Sequence, residues 1–437
     1  MPSTRELAAS LGVSRSTVSE AWDQLISEGY LETARGSGTF VCRELPDNLL
    51  KADAQPPRRP GHARAKLSRY AAALTGDFRH APAAPGVISF PPGVPDRDFF
   101  PFPLWRRLLT RHLRQSPAAV FDYADDSSGY PRLRAEISSY VARTRAVRCT
   151  PDQIVIVNGS HQALDLCARI LLEPGQTVAI ENPGYLGARR IFASHTARLQ
   201  PVRIDADGIA IQDLKQSCRL VYVTPSHQFP TGVSMSVARR LELIQWAASR
   251  NAVIVEDDYS SEYRYSGPPF PALQGMAGRG AVIYIGTFSK VMFPGLRIGY
   301  VIPPRALVPV FRRAKWLADR HTTVLEQCAL ADFIAEGHLE RHVRRMRRLY
   351  GERRRALVES LQRHFGNRAT VLGDAAGMHI MVRFDDPGIA SRAARNKVQL
   401  RSADELYLTR PPGREFILGF SAIGERAIME GIKRLAR

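Results

Sequence analysis

Short runs of β-branched residues alternate with longer amphipathic stretches over most of the chain. Five apolar runs are typical of buried strands: QIVIV, TVAIE, RLVYVTP, AVIVED and AVIYIGTF. Stretches such as SHQALDLCARILL and VARRLELIQWAASR lie between them and have the apolar period of a helix. Strands that alternate with helices of this length predict an α/β domain, whose largely parallel sheet is covered on both faces.

Residues 1–41 have a different pattern, which is typical of a helix-turn-helix unit. Ser3 or Thr4 can cap a first helix that ends at Gly12, and Ser14 can cap a second helix. The second helix carries apolar residues at positions i, i+4 and i+7 of one face. After it, YLET and GTFV flank the turn ARGSG, which predicts a two-stranded wing.

Residues 42–84 differ in composition from the segments on either side. They contain LPDNLLKADAQPPRRPGHARAK and RHAPAAPG, which are rich in Pro, Ala and Arg and show little apolar periodicity. This composition predicts an extended linker with one short helix around residues 67–74. We therefore expect a small module over residues 1–41, a linker over 42–84 and the α/β domain over 85–437.

The composition limits the class of protein. The 437 residues are 44% hydrophobic and 24% charged, values that exclude wholesale disorder. No run reaches the roughly 20 apolar residues of a membrane helix, and the first residues lack the pattern of a signal peptide. The five cysteines form no CxxC pair, which argues against a zinc ribbon or a disulfide framework. We therefore expect a cytoplasmic protein.

The charge balance suggests an anionic partner without locating it. The formal net charge is +19, which is typical of proteins that bind nucleic acid. Residues 1–85 hold only 11 Lys and Arg against 9 Asp and Glu, so most of the excess lies further along. Residues 339–357 contain Arg341, Arg344, Arg345, Arg347, Arg348, Arg353, Arg354 and Arg355. Two interpretations remain open: a solvated helix face paired with acidic neighbours, or a stripe that faces DNA.

The helix-turn-helix pattern also assigns candidate DNA contacts. In such a unit the second helix enters the major groove with its first residues toward the bases. Arg5 and Arg35 are suited to phosphate contacts, and the glycines of the wing let the backbone approach the duplex. The candidate DNA-binding residues are Arg5, Ser14, Arg15, Ser16, Thr17, Arg35, Gly36, Ser37 and Gly38. A generic small helical unit is the alternative interpretation.

The strongest chemical signal is the phrase GTFSKVMFPGLRIGY. Lys290 follows a β-branched strand and lies in a loop with hydroxyl groups and glycines. A lysine held away from bulk water has a lowered pKa, and its free amine can form a Schiff base with an aldehyde. Thr287, Ser289 and Arg297 offer the donors that a phosphate group needs.

A carboxylate at the end of a strand is the second signal. Asp257 ends the apolar run in AVIVEDDYSSEYRY, at a typical place for ligands in open α/β sheets. Pyridoxal phosphate needs such a carboxylate beside its ring nitrogen, because the protonated ring is the electron sink. Tyr259 can donate to the phenolate oxygen of the ring. Glu256 and Asp258 compete with Asp257 for this role, and the spacing does not choose among the three.

The phrase VNGSHQALD is the third signal. It runs from a strand through Gly159 and Ser160 into a helix, so free backbone N–H groups and the helix dipole face an anion. Together with the lysine and the carboxylate, it predicts a phosphate site. Tyr185, on a loop after a strand, can stack on a pyridine ring. The alternative for Tyr185 is a packed loop aromatic.

Two resemblances add to this interpretation. The segment PSTRELAASLGVSRSTVSEAWDQLISEGYLETARGSGTFV resembles the winged-helix module of GntR-type bacterial regulators. Members of that family carry another helix before the PSTREL motif, so we expect a module without its first helix. GYPRLR, TPSHQFPTG, EDDYSSEYRY and TFSKVMFPGLRIGY resemble the hallmark phrases of the MocR/GabR group. That resemblance implies a fold-type I aminotransferase-like domain, with a smaller α+β subdomain over about residues 330–437.

The resemblance also implies a pyridoxal 5'-phosphate site and a role for each residue in it. Lys290 would be the Schiff-base lysine, and Asp257 would be the partner of the pyridine nitrogen. Tyr259 would contact the phenolic oxygen, and Tyr185 would stack on the ring. The implied phosphate site consists of Gly159, Ser160, Thr287, Ser289 and Arg297. Tyr123 matches a tyrosine that reaches the phosphate of the partner subunit, so the resemblance implies a homodimer.

Two departures from ordinary aminotransferases limit the catalytic interpretation. Where those enzymes have an asparagine that contacts the ring oxygen, this chain has Phe229, so His227 or Gln228 would have to compensate. Where they have a carboxylate-binding arginine on a late strand, the phrase EFILGF has Ile417. The nearby substitutes for that arginine are Arg410 and Arg414. Both departures favour recognition of a ligand over fast turnover.

Three hypotheses about function follow. The first is a transcriptional regulator that uses pyridoxal phosphate and whose aminotransferase-like domain senses an amine, an amino acid or the cofactor itself. The second is an active aminotransferase with a vestigial DNA-binding module. The third is a nucleic-acid-binding protein without a cofactor. His338 and His342 have the i, i+4 spacing of zinc ligands, but no third ligand is evident, so no metal site is predicted.

Overall fold

The computed structural model divides the chain into two compact units, Met1–Lys66 and Leu67–Arg437. The boundary between them falls within the segment that the sequence predicts to be a linker. The structure describes residues 1–34, 38–47, 66–74, 84–123, 126–267, 269–278, 282–373 and 375–437.

The first unit consists of two short helices followed by a β-hairpin. Its elements are α1 (Thr4–Leu11), α2 (Arg15–Ser27) and the antiparallel strands β1 (Leu31–Ala34) and β2 (Gly38–Val41). The Ser3 side chain caps α1, and Gly12 ends that helix in the left-handed conformation, at φ 66°. The Ser14 side chain caps α2 by accepting from the backbone N–H of Thr17. The predicted helix-turn-helix and wing are therefore confirmed.

The core of this unit is small. It is formed by one side chain from α1, two from α2 and one from β1, namely Ala8, Val18, Trp22 and Leu31. Because each element contributes, burial of these four side chains positions α2 against the hairpin. The first turn of α2 remains exposed.

The second unit begins with the short helix α3 (Arg69–Ala73) and the strand β3 (Ile88–Ser89). Its main sheet contains β4 (Val155–Val157), β5 (Thr177–Asn182), β6 (Arg198–Asp205), β7 (Gly208–Ile209), β8 (Cys218–Val223), β9 (Val253–Asp258), β10 (Val282–Thr287) and β11 (Gly299–Ile302). The strands are ordered β4-β11-β10-β9-β8-β5-β6-β7. The five strands from β10 to β6 in this order run parallel, and β4, β11 and β7 each pair antiparallel with their neighbours.

The predicted strands β4, β5, β8, β9 and β10 are all present, so the mainly parallel sheet is confirmed. The sequence analysis missed β6, β7 and β11. Strand β6 (RLQPVRID) mixes polar residues with Pro201, which hides its β pattern, and its neighbour β7 is only two residues long. Strand β11 is four residues long and follows a loop rich in turn-forming residues.

Helices cover both faces of this sheet. They are α4 (Phe102–Gln115), α5 (Pro131–Arg145), α6 (Ser160–Leu171), α7 (Leu186–Ser194), α8 (Val237–Arg250), α9 (Leu273–Met276), α10 (Val308–Asp319) and α11 (Val324–Ala335). Successive residues of β9 pack on opposite sides: Val255 lies in the cluster that contains Leu164 of α6, and Ile254 in the cluster that contains Leu243 of α8. This alternation is the period-2 pattern of a strand buried on both faces.

The C-terminal part forms a smaller α+β subdomain. Its elements are α12 (His338–Phe365), β12 (Ala369–Leu372), β13 (His379–Phe384), α13 (Ile389–Arg395), β14 (Val398–Gln399), β15 (Arg401–Ser402), β16 (Glu415–Gly419) and α14 (Glu425–Ala436). Four of these strands form an antiparallel sheet in the order β12-β13-β16-β15, and β14 pairs in parallel with β3. Across the described ranges, no helix is both long and apolar enough to cross a membrane.

Candidate cofactor site

Lys290 lies just after β10, in the loop that leads toward β11. Its Nζ donates to the backbone carbonyl of Gly93 at 2.8 Å. Burial lowers the pKa of Lys290; the charge of Asp257 opposes this effect, and the charge of Arg297 adds to it. A Cβ on Gly93 would lie 3.3 Å from the Lys290 Nζ, so a side chain there would crowd the amine. The structure therefore shields the Lys290 amine from water, and Gly93 leaves it uncrowded on one side.

Asp257, near the end of β9, lies close enough to Lys290 for the two charges to interact. It is 4% exposed, and its Oδ2 accepts from the Tyr222 hydroxyl at 2.8 Å. Its Oδ1 is buried and has no hydrogen-bond partner in the part of the chain that the structure describes. Burial raises the pKa of Asp257 to about 6, and the hydrogen bond from Tyr222 opposes this shift. A buried carboxylate oxygen without a partner fits the N–H of a pyridine ring.

The two acidic neighbours of Asp257 point to the opposite face, because side chains alternate along a strand. Asp258 accepts from Arg145 at 2.7 Å and from the Tyr284 hydroxyl at 2.7 Å. Glu256 accepts from two backbone N–H groups at the start of α9, at 2.9 and 3.0 Å. Glu256 is thus engaged at both oxygens, whereas Asp258 is engaged at Oδ2 and its buried Oδ1, like that of Asp257, has no partner among the described residues. The strand alternation separates the three acidic residues that sequence spacing left as equal candidates.

Tyr259 follows Asp257 by two residues and contacts the phrase HQFPTG. The Tyr259 hydroxyl is 2.8 Å from His227 Nδ1, and burial raises the pKa of this tyrosine well above its usual value. Two residues are candidates to replace the missing asparagine. The side chain of one of them, Gln228, is already hydrogen-bonded to Glu181, Thr231 and nearby backbone groups. His227 Nε2 is buried and has no partner among the described residues. His227 is therefore the better placed of the two to contact a ring oxygen.

Tyr185 precedes α7 and lies against two other rings. Its hydroxyl is 2.6 Å from His161 Nε2, and its ring packs edge-on against Phe229 at a centroid distance of 5.8 Å. Burial raises the pKa of Tyr185 to about 12. The neutral, half-buried ring held at two points is suited to stacking on a planar ligand.

The residues that are predicted to bind a phosphate group lie around the start of α6. Gly159 has φ 82°, and a Cβ at this position would come within 3.0 Å of Arg297 Nη2. Arg297 Nη2 in turn donates to the carbonyl of Asn158 at 2.9 Å. Ser160 begins α6, whose first N–H groups have no helical acceptor. Thr287 ends β10, and the N–H of Ser289 in the loop that follows donates to Thr287 Oγ1 at 3.2 Å. This cradle fits an anion such as phosphate.

Ile417 occupies the place of the carboxylate-binding arginine of ordinary aminotransferases. It lies on β16 and is fully buried. Neither predicted substitute reaches it, because Arg410 and Arg414 are both exposed. The arginine that the strand register places directly opposite Ile417 is Arg401, which is half-buried on β15. No local pattern marks Arg401, since only the strand register brings it beside β16.

Tyr123 is not part of this cluster. Its side chain is 71% exposed, and the guanidinium of Arg320 lies over its ring at 4.5 Å.

In the first unit, the described candidates for DNA binding, Arg5, Ser14, Arg15, Ser16 and Thr17, are all exposed. Gly38 begins β2, while Arg35, Gly36 and Ser37 lie outside the described residues.

The arginine-rich stretch forms the middle of α12, and three of its arginines support the fold. Arg353 is buried and pairs with Asp96 at 2.7 Å. Arg341 and Arg347 donate to backbone carbonyls at 2.8 and 2.7 Å. His342 of the suggested zinc pair is buried, and among the described residues no group of three or more potential ligands is close enough to hold a metal ion.

Comparisons with known proteins match both units. The family model for aminotransferase class I and II matches residues 96–416, and the model for bacterial regulatory proteins of the gntR family matches residues 1–41. The chain is 40% identical to the probable rhizopine catabolism regulatory protein MocR of Rhizobium meliloti. That alignment covers 100% of this chain and 88% of the relative.

Solved structures match the second unit. Kynurenine aminotransferase from Pyrococcus horikoshii, in complex with PMP, is 30% identical with a TM-score of 0.75, over 80% of this chain and 90% of that one. LysN, the α-aminoadipate aminotransferase of Thermus thermophilus, is complexed with N-(5'-phosphopyridoxyl)-L-leucine. It is 28% identical with a TM-score of 0.74, over 81% of this chain and 92% of that one.

These matches identify the architecture. An aminotransferase class I and II domain, with structural neighbours that carry pyridoxal phosphate derivatives, implies pyridoxal phosphate as its cofactor. A gntR-type module implies binding to DNA. The chain therefore belongs to the MocR-type family of transcriptional regulators, in which a GntR-type DNA-binding module is joined to an aminotransferase-like domain.

Proposed function

We propose that this regulator holds pyridoxal 5'-phosphate at Lys290 and changes its affinity for DNA when an amine, an amino acid or the cofactor binds there. The observation that carries the proposal is the unpartnered Oδ1 of Asp257, a carboxylate close enough to the shielded Lys290 for their charges to interact. Asp258 also has an unpartnered Oδ1, but its side chain points to the opposite face of the sheet, where its Oδ2 pairs with Arg145. A buried carboxylate oxygen without a partner is costly, so its presence supports a ligand that completes it. A regulator of transcription acts on the chromosome, so the proposal also places the protein in the bacterial cytoplasm.

Each residue of the cluster has a task in this proposal. When bound, pyridoxal phosphate supplies an aldehyde that bonds to primary amines and a ring that withdraws electrons. The lowered pKa of Lys290 keeps more of its amine unprotonated, which is the form that bonds to an aldehyde. Asp257 would hold a proton at the ring nitrogen, and Tyr259 and His227 would contact the ring oxygen. Tyr185 would stack on the ring and exclude water from one face.

The phosphate would occupy the cradle around the start of α6. The groups assigned to it are Gly159, Ser160, Thr287, Ser289 and Arg297. Gly159 lets the backbone approach the anion, and Arg297 supplies a positive charge beside it. The remaining predicted residue, Tyr123, would act on the phosphate of a partner subunit, which requires a homodimer. A monomeric mass of the cofactor-loaded protein in light scattering would contradict this part of the proposal.

The DNA-binding task falls to the first turn of α2. Arg15, Ser16 and Thr17 are exposed there, and the Ser14 hydroxyl already accepts a hydrogen bond as the helix cap. Arg5 would add a phosphate contact, as would the wing around Arg35, Gly36, Ser37 and Gly38. The effector must bind two states of the protein with different affinities, because otherwise no signal reaches the DNA.

The test is fluorescence anisotropy of the full chain on the DNA that flanks its own gene. We expect binding at low salt, and Arg15→Ala should weaken it about tenfold if Arg15 contacts a base. Arg250→Ala, an exposed change at the end of α8, is the matched control and should leave binding unchanged. No retention of DNA by the wild-type chain at low salt would contradict the proposed function.

An active aminotransferase is the second candidate, favoured by the lowered pKa of Lys290 together with Asp257. Its test is to mix the cofactor-loaded protein with single amino acids and to follow the visible absorbance of the cofactor. Full conversion to the amine form of the cofactor within seconds, with release of the keto acid, would favour an enzyme. Saturable spectral change without keto acid release would favour a sensor.

A further inference from the structure

The His227 ring is held in one orientation beside Tyr259. It is 1% exposed, and its Nδ1 lies 2.8 Å from the Tyr259 hydroxyl oxygen. A Cβ on Gly377 would clash with the ring, so this close approach requires a glycine. The ring of His379 also packs edge-on against it, at a centroid distance of 4.8 Å. His227 therefore has little freedom to turn away from Tyr259.

The segment that packs against this ring is itself anchored. The Gly377 N–H donates to the carbonyl of Tyr263 at 2.7 Å, and the Gly377 carbonyl accepts from the Tyr265 hydroxyl at 2.7 Å. Two residues further on, His379 Nε2 lies 3.2 Å from the carbonyl of Pro230, to which it can only donate. A support fixed in this way can keep a hydrogen bond in one direction.

The two hydrogen-bonded groups carry one proton each. Burial lowers the pKa of His227 well below its usual value, and the charge of His379 lowers it further, so the imidazole is neutral and has one N–H. Burial raises the pKa of Tyr259 well above its usual value, so the phenol keeps its O–H. The hydrogen bond between them uses one of these two protons, and the tautomer of His227 decides which one.

The other side of the ring indicates the tautomer. His227 Nε2 is buried and has no partner among the described residues. A proton at Nε2 would be a buried donor without an acceptor, whereas a proton at Nδ1 leaves only a bare acceptor at Nε2. Among buried backbone groups, an N–H without an acceptor is rarer than an acceptor without a donor, and we extend this order to the ring nitrogens. The surroundings therefore favour the tautomer whose Nδ1–H donates to the Tyr259 oxygen.

We propose that His227 is a positioning residue that directs the Tyr259 hydroxyl toward the ring oxygen of the cofactor. A tyrosine has a single O–H, which is free for the ring oxygen only if Tyr259 accepts the hydrogen bond that it shares with His227. The inference rests on the proposed function and narrows it, because the effect of His227 on the ring oxygen then runs through Tyr259. Phe229, in the place of the asparagine, has no hydrogen-bonding side chain, so the direction of this one hydroxyl is decisive.

The experiment compares two ligands that differ only in the ring oxygen: pyridoxamine 5'-phosphate and its deoxy analogue, which lacks the ring hydroxyl. Their affinities for the full chain freed of cofactor are measured by isothermal titration calorimetry. Neither ligand has an aldehyde, so the measurement needs no chemistry at Lys290. The ratio of the two affinities reports on the ring oxygen, and comparing this ratio between variants removes the intrinsic difference between the two rings.

For the wild type we expect pyridoxamine phosphate to bind about 10- to 100-fold more tightly than the deoxy analogue. Tyr259→Phe should remove most of this preference. His227→Phe should reduce it about 3- to 10-fold, because the Tyr259 hydroxyl loses the donor that orients it. Both variants should bind the deoxy analogue as the wild type does, which also shows that they are folded.

Combining the two changes decides whether His227 acts through Tyr259. Tyr259→Phe leaves no hydroxyl to direct, so adding His227→Phe should change the preference no further. His227→Asn should keep most of the wild-type preference, because the amide nitrogen of asparagine lies as far along the side chain as Nδ1. The matched control His195→Phe removes a half-buried histidine that is hydrogen-bonded to Asp165 at 2.7 Å, and it should keep the full preference.

Three results would overturn the inference. The first is a wild-type preference in His227→Phe, and the second is a wild type that binds both ligands equally tightly. The third is a double variant whose preference is lower than that of Tyr259→Phe, which is expected if His227 contacts the ring oxygen itself. If His227→Phe binds neither ligand, His227→Gln, whose amide reaches the place of Nε2 instead of Nδ1, replaces it in all comparisons. Failure of the proposed function gives a different result, since the wild type would then bind neither ligand.

Discussion

Two lysines of the second unit are shielded from water, and their surroundings differ. Lys315 on α10 has no exposed side-chain surface. Its Nζ donates to Asp319 at 2.6 and 2.7 Å, to Gln162 at 3.0 Å and to Thr322 at 3.1 Å. The Nζ of Lys290 donates to a single acceptor among the described residues, the carbonyl of Gly93.

The difference separates a structural ion pair from a reactive group. Burial lowers the pKa of both lysines, but at Lys315 the hydrogen bonds and the charge of Asp319 oppose this effect directly. A buried ammonium group whose acceptors are all in place is committed to structural contacts, and removal of either partner is costly. Lys290 lacks such a set, and Asp257, whose charge acts on Lys290, has one oxygen without a described partner. The incomplete site is the one that a ligand can complete.

The largest expected effect is on covalent attachment of the cofactor. Protein loaded with pyridoxal phosphate and then reduced with borohydride should carry one cofactor per chain, because reduction traps the bond to the lysine amine. We expect Lys290→Ala to carry none and Lys315→Met to carry the wild-type amount, as measured by mass spectrometry of the intact chain. Attachment that persists in Lys290→Ala, or that disappears in Lys315→Met, would reverse the roles of the two lysines.

The second effect should separate the two lysines in the opposite direction. Lys315→Met removes one partner of a buried pair and leaves Asp319 without its cation. It should therefore lower the free energy of unfolding by about 3 kcal/mol. Lys290→Met should leave the stability of the cofactor-free protein near that of the wild type, since it breaks one hydrogen bond and buries an apolar chain. Urea unfolding of both variants measures the free energy of unfolding. Equal losses in the two variants would contradict the structural role assigned to Lys315 alone.

The two aspartates at the end of β9 extend the same comparison to the acidic partners. Asp258→Asn should lower the free energy of unfolding by about 2 kcal/mol, because it leaves the buried guanidinium of Arg145 without a carboxylate. Asp257→Asn should cost little in cofactor-free protein and should weaken the binding of pyridoxal phosphate instead, because a neutral amide no longer favours the protonated ring. Thermal unfolding and cofactor titration of both variants are the measurements. A stability loss at Asp257 that equals the loss at Asp258 would contradict the assigned roles.

The smallest effect is a pH dependence that belongs to Asp257. Its pKa of about 6 in the folded protein exceeds the ordinary value of an aspartate, so the unfolded chain loses this proton first as the pH rises. The contribution of this group to stability is therefore full below about pH 4 and is lost as the pH rises to about 6 and above. Between pH 5 and pH 7, cofactor-free wild type should lose about 1 kcal/mol more stability than Asp257→Asn. Parallel pH profiles of the two proteins in urea unfolding would count against this shift.

The local pattern of the sequence was sufficient for the elements that carry their own signal. Ser14, Val18 and Trp22 predict α2, because a cap and an apolar face are encoded within one helix. The runs that became β5, β8, β9 and β10 are apolar throughout, since each is buried on both faces. Lys290 and Gly159 were also predicted, because short phrases place both residues in loops directly after strands.

What the sequence could not decide depends on contacts between distant segments. The choice among Glu256, Asp257 and Asp258 required knowing which face of β9 is turned toward the lysine loop. The contacts of Gln228 required the position of Glu181, which lies 47 residues earlier. Arg401 gained its place beside Ile417 only through the register of β15 and β16.

The physical reason is the range of the interactions involved. Secondary structure follows from residues within a few positions of one another, so composition, caps and periodicity predict the helices, the parallel strands and the two-part architecture of this chain. A binding site depends on burial, charge and hydrogen-bond completion, which are set by segments far apart in sequence. The sequence alone therefore determined that the chain carries a lysine, a carboxylate and a glycine-containing loop before a helix, each directly after or at the end of a strand. The tertiary structure alone decided which acidic side chain lies on the same face of β9 as the charge of Lys290, and which hydrogen bonds its neighbours Glu256 and Asp258 already make.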